Sequence, residues 1–416
     1  MLFRFCLYGF LKNQTYFGPF LILVFLEKGL TFFEIGLLIA CRELTVNLFE
    51  ILSGAVADVY GRRRSMIFSF VAYIASFLIF GFCEQLAWLF VAMFFYGIGV
   101  AFRTGTHKAI IFAWLRLQNR IDERTKVYGQ TRSWSKIGSA VAALLAAGFV
   151  LLSENYTTIF FFSVIPYLIG IINFIGYPKE LDGGASSDFS LGRLFGHLKS
   201  SVINALGRRE LRRLIFESMG FEGLFRAAKD YLQPVLKSTA LQAGAGLAIV
   251  AGLSEHKKAA LLIGPVYFCI FMLSALASRW SHRIAKRAGE ENRAARWLWG
   301  AFLLGFSALL PAMLFEINGL IIAGFILLFI LQNIWRPILI SRFDSYGDER
   351  QGATLLSIES QAKSLATMLI APLLGWLVDL VTTNDLGGEF WPVGALGIIV
   401  ALFFFSLPKP RAPYND

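Results

Sequence analysis

Charged residues are scarce. Asp, Glu, Lys and Arg make up 16% of 416 residues, where a soluble chain carries about 25%. A water-soluble globular enzyme of this length is therefore excluded. Cysteine and histidine are scarce too. Cys6, Cys41, Cys83 and Cys269 are scattered, with no redox or metal spacing, and read as small core residues. His107, His197, His256 and His282 are equally dispersed. With no H-E-x-x-H and no phosphate-binding glycine loop, neither metal nor cofactor is expected. Acidic residues are fewer than basic ones, leaving a net charge of +11. That balance invites a nucleic-acid reading, but the basic residues sit between apolar runs, where membrane topology accounts for them. No nucleic-acid partner is expected. Arg4 leads into a polar-interrupted run without a small-residue cleavage site, so no cleavable signal is expected.

Apolar residues dominate what remains, at 56% of the chain with a mean hydropathy of +0.61. The length suits about twelve membrane-spanning helices with short connections. The first spans are expected at about 5–26 (interrupted by Lys12, Asn13 and Gln14), 32–57 and 65–82. A fourth starts near Leu86, with an inner end blurred by Arg103 to Lys108. A basic loop with Arg116, Arg120, Arg124, Lys126 and Arg132 precedes a small-residue-rich fifth span around Gly138, and the sixth covers about 157–177. Residues 178–210 form the one long hydrophilic stretch, an expected linker on the inner membrane face. Leu191, Leu194, Phe195, Leu198 and Val202 there have the spacing of an amphipathic helix. Six further spans follow at about 211–236, 259–278, 297–315, 320–340, 353–378 and 391–407. With both ends inside, only Lys28, Lys237, Lys257 and Lys258 among the loop cations fall outside, which agrees with the positive-inside rule. The expected location is the plasma (cytoplasmic or inner) membrane.

Gly54-Ala-Val-Ala-Asp58-Val-Tyr-Gly61-Arg62-Arg63-Arg64 joins the second and third spans. Gly54 is expected to admit close approach of a neighbouring helix. Gly61 permits a tight reversal, and the arginines place the loop inside. The pattern G-x-x-x-D-x-x-G-R-R resembles the signature loop of the major facilitator superfamily of transporters. Leu273-Ser-Ala-Leu-Ala-Ser-Arg-Trp-Ser-His-Arg283 is a degraded echo of it after the eighth span, as an internal duplication requires. The resemblance implies an all-α integral membrane protein of twelve helices in two pseudo-symmetric six-helix bundles, 1–177 and 211–416, joined by the linker 178–210. It implies a transporter and not an enzyme, acting as a monomer. It also makes Gly54, Asp58, Gly61, Arg62 and Arg63 gating residues. Val59 stands where many members carry arginine. The fifth span lacks proline, and Phe94, Phe95 and Tyr96 precede Gly97-Ile-Gly99 without an arginine. Both departures weaken a drug-efflux assignment.

Charge inside a bilayer is costly, so its placement is the best functional signal. Spans 3, 6, 9 and 12 have essentially none, and the resemblance puts those four on the outside of each bundle. On the second span Glu43, Asn47, Glu50 and Gly54 share one face. Glu43 and Glu50 are candidates for proton coupling, or else structural ion-pair partners. On the seventh, Glu222, Arg226, Lys229 and Gln233 share a face beside Asp230, and Pro234 is expected to break the helix outward of them. These five, with Asn13, Arg103, Arg336 and Gln361, are the candidate substrate-binding residues; mutual neutralisation, as for Glu222–Arg226 or Glu359–Lys363, is the alternative. The arginines cannot shed their charge, so Glu50, Asp230 or the substrate must face them. The expected function is secondary transport of a small polar solute, anionic or zwitterionic, by alternating access with protons as coupling ion. The alternatives are export of drugs or lysolipids and, more remotely, a membrane-embedded enzyme or sensor.

Overall fold

The structure is a computed structural model that describes residues 1–182, 203, 206–246, 252–345 and 352–408. The linker positions Leu191, Leu194, Phe195, Leu198 and Val202 lie outside the described residues, as does the side chain of Asp58. Among the described residues every regular element is helical. They are α1 (Leu2–Leu11), α2 (Leu21–Glu27), α3 (Phe32–Tyr60), α4 (Arg62–Phe82), α5 (Leu86–Arg103), α6 (Thr106–Leu117), α7 (Arg124–Ser153) and α8 (Thr158–Ile175). After the linker come α9 (Arg209–Ser218), α10 (Leu224–Ala228), α11 (Leu232–Gly246), α12 (Glu255–Ala288), α13 (Glu291–Leu314), α14 (Asn318–Asp344), α15 (Gly352–Thr383) and α16 (Trp391–Ser406). Among the described residues eight helical segments are long and apolar enough to cross a membrane, and three shorter apolar helices accompany them. α3, with 29 residues, extends about 44 Å at 1.5 Å per residue but carries Arg42, Glu43 and Glu50.

Contacts divide the chain into two compact units. One comprises Met1–Leu30, Cys41–Phe189 and Leu236–Met272; the other comprises Thr31–Ala40, Ser190–Val235 and Leu273–Asp416. In the first, α4 packs on α5 and α8 while α1 packs along α7. The α1–α7 seam is built on glycine. A Cβ on Gly9 would lie 2.5 Å from the Thr131 carbonyl oxygen, and one on Gly138 would lie 2.6 Å from that of Phe10. The two backbones therefore touch, as small residues allow in a membrane. In the second unit α13 packs on α14 and α16 around buried aromatics. Phe221 stacks on fully buried Trp335 with ring centroids 4.4 Å apart.

Several spans depart from their expected form. The first is not one helix: α1 stops at Leu11 and regular α-structure resumes at Leu21. Lys12, Asn13 and Gln14 mark a break, with Asn13 Nδ2 donating to the Ser135 carbonyl (2.7 Å) and Gln14 Nε2 to that of Gly138 (3.0 Å). Side-chain amides thus replace helical bonds with bonds to α7. The fourth span breaks at Gly105, whose φ of +79° suits glycine, leaving Arg103 at the end of α5 and His107 in the first turn of α6. The expected basic loop is shorter, since α7 already starts at Arg124. Pro234 does not break the seventh span outward of its polar cluster. It sits inside α11, and the irregular turns precede it: a π-turn at Met219–Gly223 and a 3-10 turn at Lys229–Tyr231. Proline clashes with the carbonyl four residues back, here Asp230, so the distortion falls on the N-terminal side.

Candidate functional site

The first unit contains a cavity of about 280 Å³ at the breaks in spans one and four. Tyr8, Lys12, Asn13 and His107 line one side, and Tyr128, Thr131, Arg132, Ser135, Lys136 and Ser139 of α7 line the other. His107 stacks on Tyr8, centroids 3.8 Å apart, and the Lys12 ammonium lies 5.5 Å from the centre of the same tyrosine ring. The Arg103 guanidinium lies 5.6 Å from the Tyr73 ring centre. It is within electrostatic range of the hydroxyls of Tyr8, Tyr73, Tyr96 and Tyr167. Asn13 borders this cavity with its amide committed to the α7 backbone. On α3, Glu43 is buried and ion-paired to Arg42 at 2.7 Å, while Glu50 is half-buried.

The stretch Gly54–Arg64 is helical on both sides of Gly61, and its two glycines part company. Gly61 has φ +100°, and a Cβ there would crowd the Asp182 carboxylate at 3.0 Å. Asp182 receives the backbone N–H of Arg63 at 2.8 Å, and Arg63 Nη1 donates to the Tyr177 carbonyl. The tight reversal is therefore real and tied to the chain just after α8. Gly54 is different: a Cβ there would meet no described atom within 4 Å, so it is not a close-approach glycine here.

In the second unit the buried charges meet one another. Arg336 grips Glu359 with both terminal nitrogens, Lys363 Nζ reaches the same carboxylate at 3.3 Å, and Ser218 Oγ donates to it at 2.5 Å. Glu359 is thus the anion that Arg336 needs. Glu222 is 3% exposed and accepts from Gln332 Nε2 on both oxygens, at 3.3 and 3.2 Å. Arg226 lies within electrostatic range of Lys363. Lys229 pairs with Asp230, which also accepts from Gln233 at 3.5 Å. Gln361 is half-buried on α15. Glu217, which the sequence places just below the polar cluster of the seventh span, is held between Arg213 (2.8 Å) and Arg342 (2.6 Å), with Arg342 also on Asn292, partners the sequence reading did not assign. Only the i,i+4 spacing of Arg213 and Glu217 announces one of them.

Asp379 of α15 caps α3, accepting from the backbone N–H groups of Phe32 (3.0 Å) and Phe33 (2.8 Å). Gly36 and Gly375 let the two helices close on each other: a Cβ on Gly36 would lie 2.5 Å from Pro372. Glu27 pairs with His256 at 2.6 Å and Glu154 with Lys257 at 2.7 Å. Each contact lies within one compact unit, yet each joins residues far apart in the sequence.

The profile of the Major Facilitator Superfamily matches residues 5–358. The chain belongs to that superfamily. Membership makes it a transporter and not an enzyme. An uncharacterized MFS-type transporter of Bacillus subtilis (strain 168), YxaM, is 32% identical over 90 residues, 22% of this chain and 23% of that protein. The chain thus spans about a quarter of the length of that curated relative. Among solved structures, the nucleoside transporter NupG is similar with a TM-score of 0.72 at 14% identity, over 97% of this chain and 96% of that one. A POT family transporter in complex with 5-aminolevulinic acid gives 0.70 at 14% identity, over 97% and 94%. A D-xylose-proton symporter gives 0.63 at 14% identity, over 98% and 96%. These likenesses establish that the superfamily member shares their fold.

Proposed function

We propose that the protein is a proton-coupled secondary transporter of a small polar solute, working by alternating access between two six-helix bundles of twelve spans. The observation that carries this reading is the polar cavity at the breaks of the first and fourth spans. Interrupted helices place polar side chains and unsatisfied backbone where a solute crosses, and spans one, four and seven are all interrupted here. The contacts Asp379–Phe32, Glu27–His256 and Glu154–Lys257 join helices from opposite halves of the sequence, at the ends remote from the Gly54–Arg64 loop. In the two-bundle reading they hold the outer end shut, with both termini cytoplasmic and the protein a monomer in the plasma membrane.

Within this reading Asn13, Arg103, Glu222, Arg226, Lys229, Asp230, Gln233, Arg336 and Gln361 face the solute path. Glu43 and Glu50 are the candidates for the coupling proton, and Gly54, Asp58, Gly61, Arg62 and Arg63 govern the inner gate. Glu43 is buried and ion-paired to Arg42, and Glu50 is half-buried toward the cytoplasmic end of α3; Glu50 is the first of the two to test. Export of drugs or lysolipids fits less well with a cavity lined by lysines, arginine and hydroxyls. Proteoliposomes carrying a pH gradient test the reading. A solute that moves should carry protons with it, seen as solute-dependent change in internal pH. Solute movement with no proton flux at any pH gradient would remove the coupling; chemical conversion of the solute would remove the transporter.

A further inference from the structure

The charges of the first-unit cavity are all of one sign. Lys12, Arg132 and Lys136 line it, and no Asp or Glu is among its lining residues. Lys12 lies within electrostatic range of both Arg103 and Arg132, so these cations repel one another. Arg103 faces tyrosine hydroxyls instead of a carboxylate. The second unit is the contrast: there Arg336 and Lys363 share Glu359, and Arg342 meets Glu217. Cations gathered around one cavity without a counter-charge repel one another, at more cost for half-buried Lys12 and Lys136 than for exposed Arg132, and an incoming anion offsets that cost.

An independent observation points the same way. His107 is 7% exposed, its ring is fixed by stacking on Tyr8, and its Nε2 has no hydrogen-bond partner among the described residues. The Nε of Arg103 is likewise without one. Such atoms are usually served by a ligand or water, and among those of the described residues His107 Nε2 is the one on a side chain that lines the cavity. The volume of about 280 Å³ corresponds to about nine water molecules at roughly 30 Å³ each, just under the ~300–1,000 Å³ of small-molecule pockets. It accommodates a compact anionic group.

We propose that this cavity is an oxyanion subsite that takes the carboxylate or phosphate of a small organic anion. Lys12, Arg132 and Lys136 are its counter-charges, His107 its hydrogen-bond partner, and Arg103 adds to the field from behind Tyr8. The proposal rests on the reading of the chain as a transporter of a small polar solute, and it names that solute's class.

The test uses the full-length protein in nanodiscs and calorimetric binding of succinate, citrate, inorganic phosphate and glycerol 3-phosphate, with glycerol and choline as neutral and cationic comparators. At least one anion should bind saturably, and more weakly as salt rises. Lys12→Gln and Arg132→Gln should each weaken it about tenfold or more, while Lys12→Arg stays within a few-fold. Unfolding of each variant without ligand checks that it is folded. Nanodiscs with and without phosphatidylglycerol separate the sources: competition by that lipid, lost in Lys12→Gln, identifies a lipid headgroup as the oxyanion. Failure of every anion to bind in both lipid mixtures overturns the subsite, as do affinities indifferent to charge removal or equal binding of choline. Counterflow in liposomes tells the two readings apart. An anion that binds but is never moved leaves the subsite standing and sinks solute transport; a moved sugar or cation with no anion binding does the reverse.

Discussion

Arg336 holds Glu359 by two parallel hydrogen bonds, Nη1 to Oε1 at 2.6 Å and Nη2 to Oε2 at 3.0 Å, and Glu359 has no exposed surface. Pairing of this geometry is specific to guanidinium. Removing one partner strands the other, at a cost of about 3–5 kcal/mol. Glu359→Ala should therefore lose stability on that scale, because both Arg336 and Lys363 lose their counter-ion. Joint replacement by Arg336→Met and Glu359→Leu should recover the share of the loss that Arg336 contributes, with Lys363 still lacking Glu359. Unfolding titrations of the two variants check this; a double variant as unstable as the single one contradicts it.

Asp379 caps α3, and a lost cap costs about 0.5–2 kcal/mol. Asp379→Ala should loosen the contact between α3 and α15. Tyr231 is 4% exposed and stacks on Phe32 with centroids 5.6 Å apart. A Tyr231→Cys thiol should be protected in the parent and react roughly five- to tenfold faster with an impermeant reagent once Asp379 is alanine. Equal rates would show that the cap does not hold this end closed.

Glu389, in the turn before α16, has its carboxyl held above the ordinary 4.5, first by burial and then by the neighbouring Glu316 and Asp379. The folded chain binds this proton more tightly than the unfolded one. Its contribution is present below the unfolded value and is lost as pH rises through the raised one. Glu389→Gln, which does not titrate, should melt higher than the parent at pH 7 and alike at pH 4. Melting curves across that range decide it; a gap that does not change with pH is the contrary result.

Glu50 is the proposed coupling carboxylate on α3. An anion that draws a paired cation away from such a carboxylate raises its proton affinity, so proton and anion would bind together. Glu50→Gln should abolish accumulation driven by a pH gradient and keep solute exchange. Wild-type accumulation in that variant would transfer the role to Glu222 or Asp230.

Topology is tested by thiol labelling in intact cells. Cysteines at Asn155, His256 and Asp385 should react with an impermeant reagent, and cysteines at Arg63, Arg124, Ser187 and Arg287 should not. Labelling at Ser187 would overturn the arrangement with both termini inside.

How much of this was legible depends on whether a feature lives on one helix or between two. The positive φ at Gly61 and the uncharged apolar cores of α4 (65–82), α8, α13 (297–314) and α16 are single-helix properties, and the sequence announces them. Lys12, Asn13 and Gln14 announced an interruption, but the break needs the carbonyls of Ser135 and Gly138 to hold it, and they lie far along the chain. The partner of Arg336 was sought in Glu50 or Asp230 because neither intermediate helix register nor rotation is written in a single sequence. Glu359 satisfies it. Gly54 misled for the opposite reason: its motif implies a neighbour, and a Cβ there would meet no described atom within 4 Å. The cationic cavity was missed because Lys12, Arg132 and Lys136 come from a helix break and a segment read as loop.

The glycine seam between α1 and α7 has a consequence for how such a carrier changes its cargo. Gly9 and Gly138 seat each helix directly on the main chain of the other, and Gly9 also lines the cavity, so the joint beside it is made by peptide backbone common to any sequence. Only the protruding side chains, Lys12, Arg132 and Lys136 among them, give the cavity a sign. Exchanging those few would re-address the pore while the joint keeps its fit, so selectivity and architecture can drift independently.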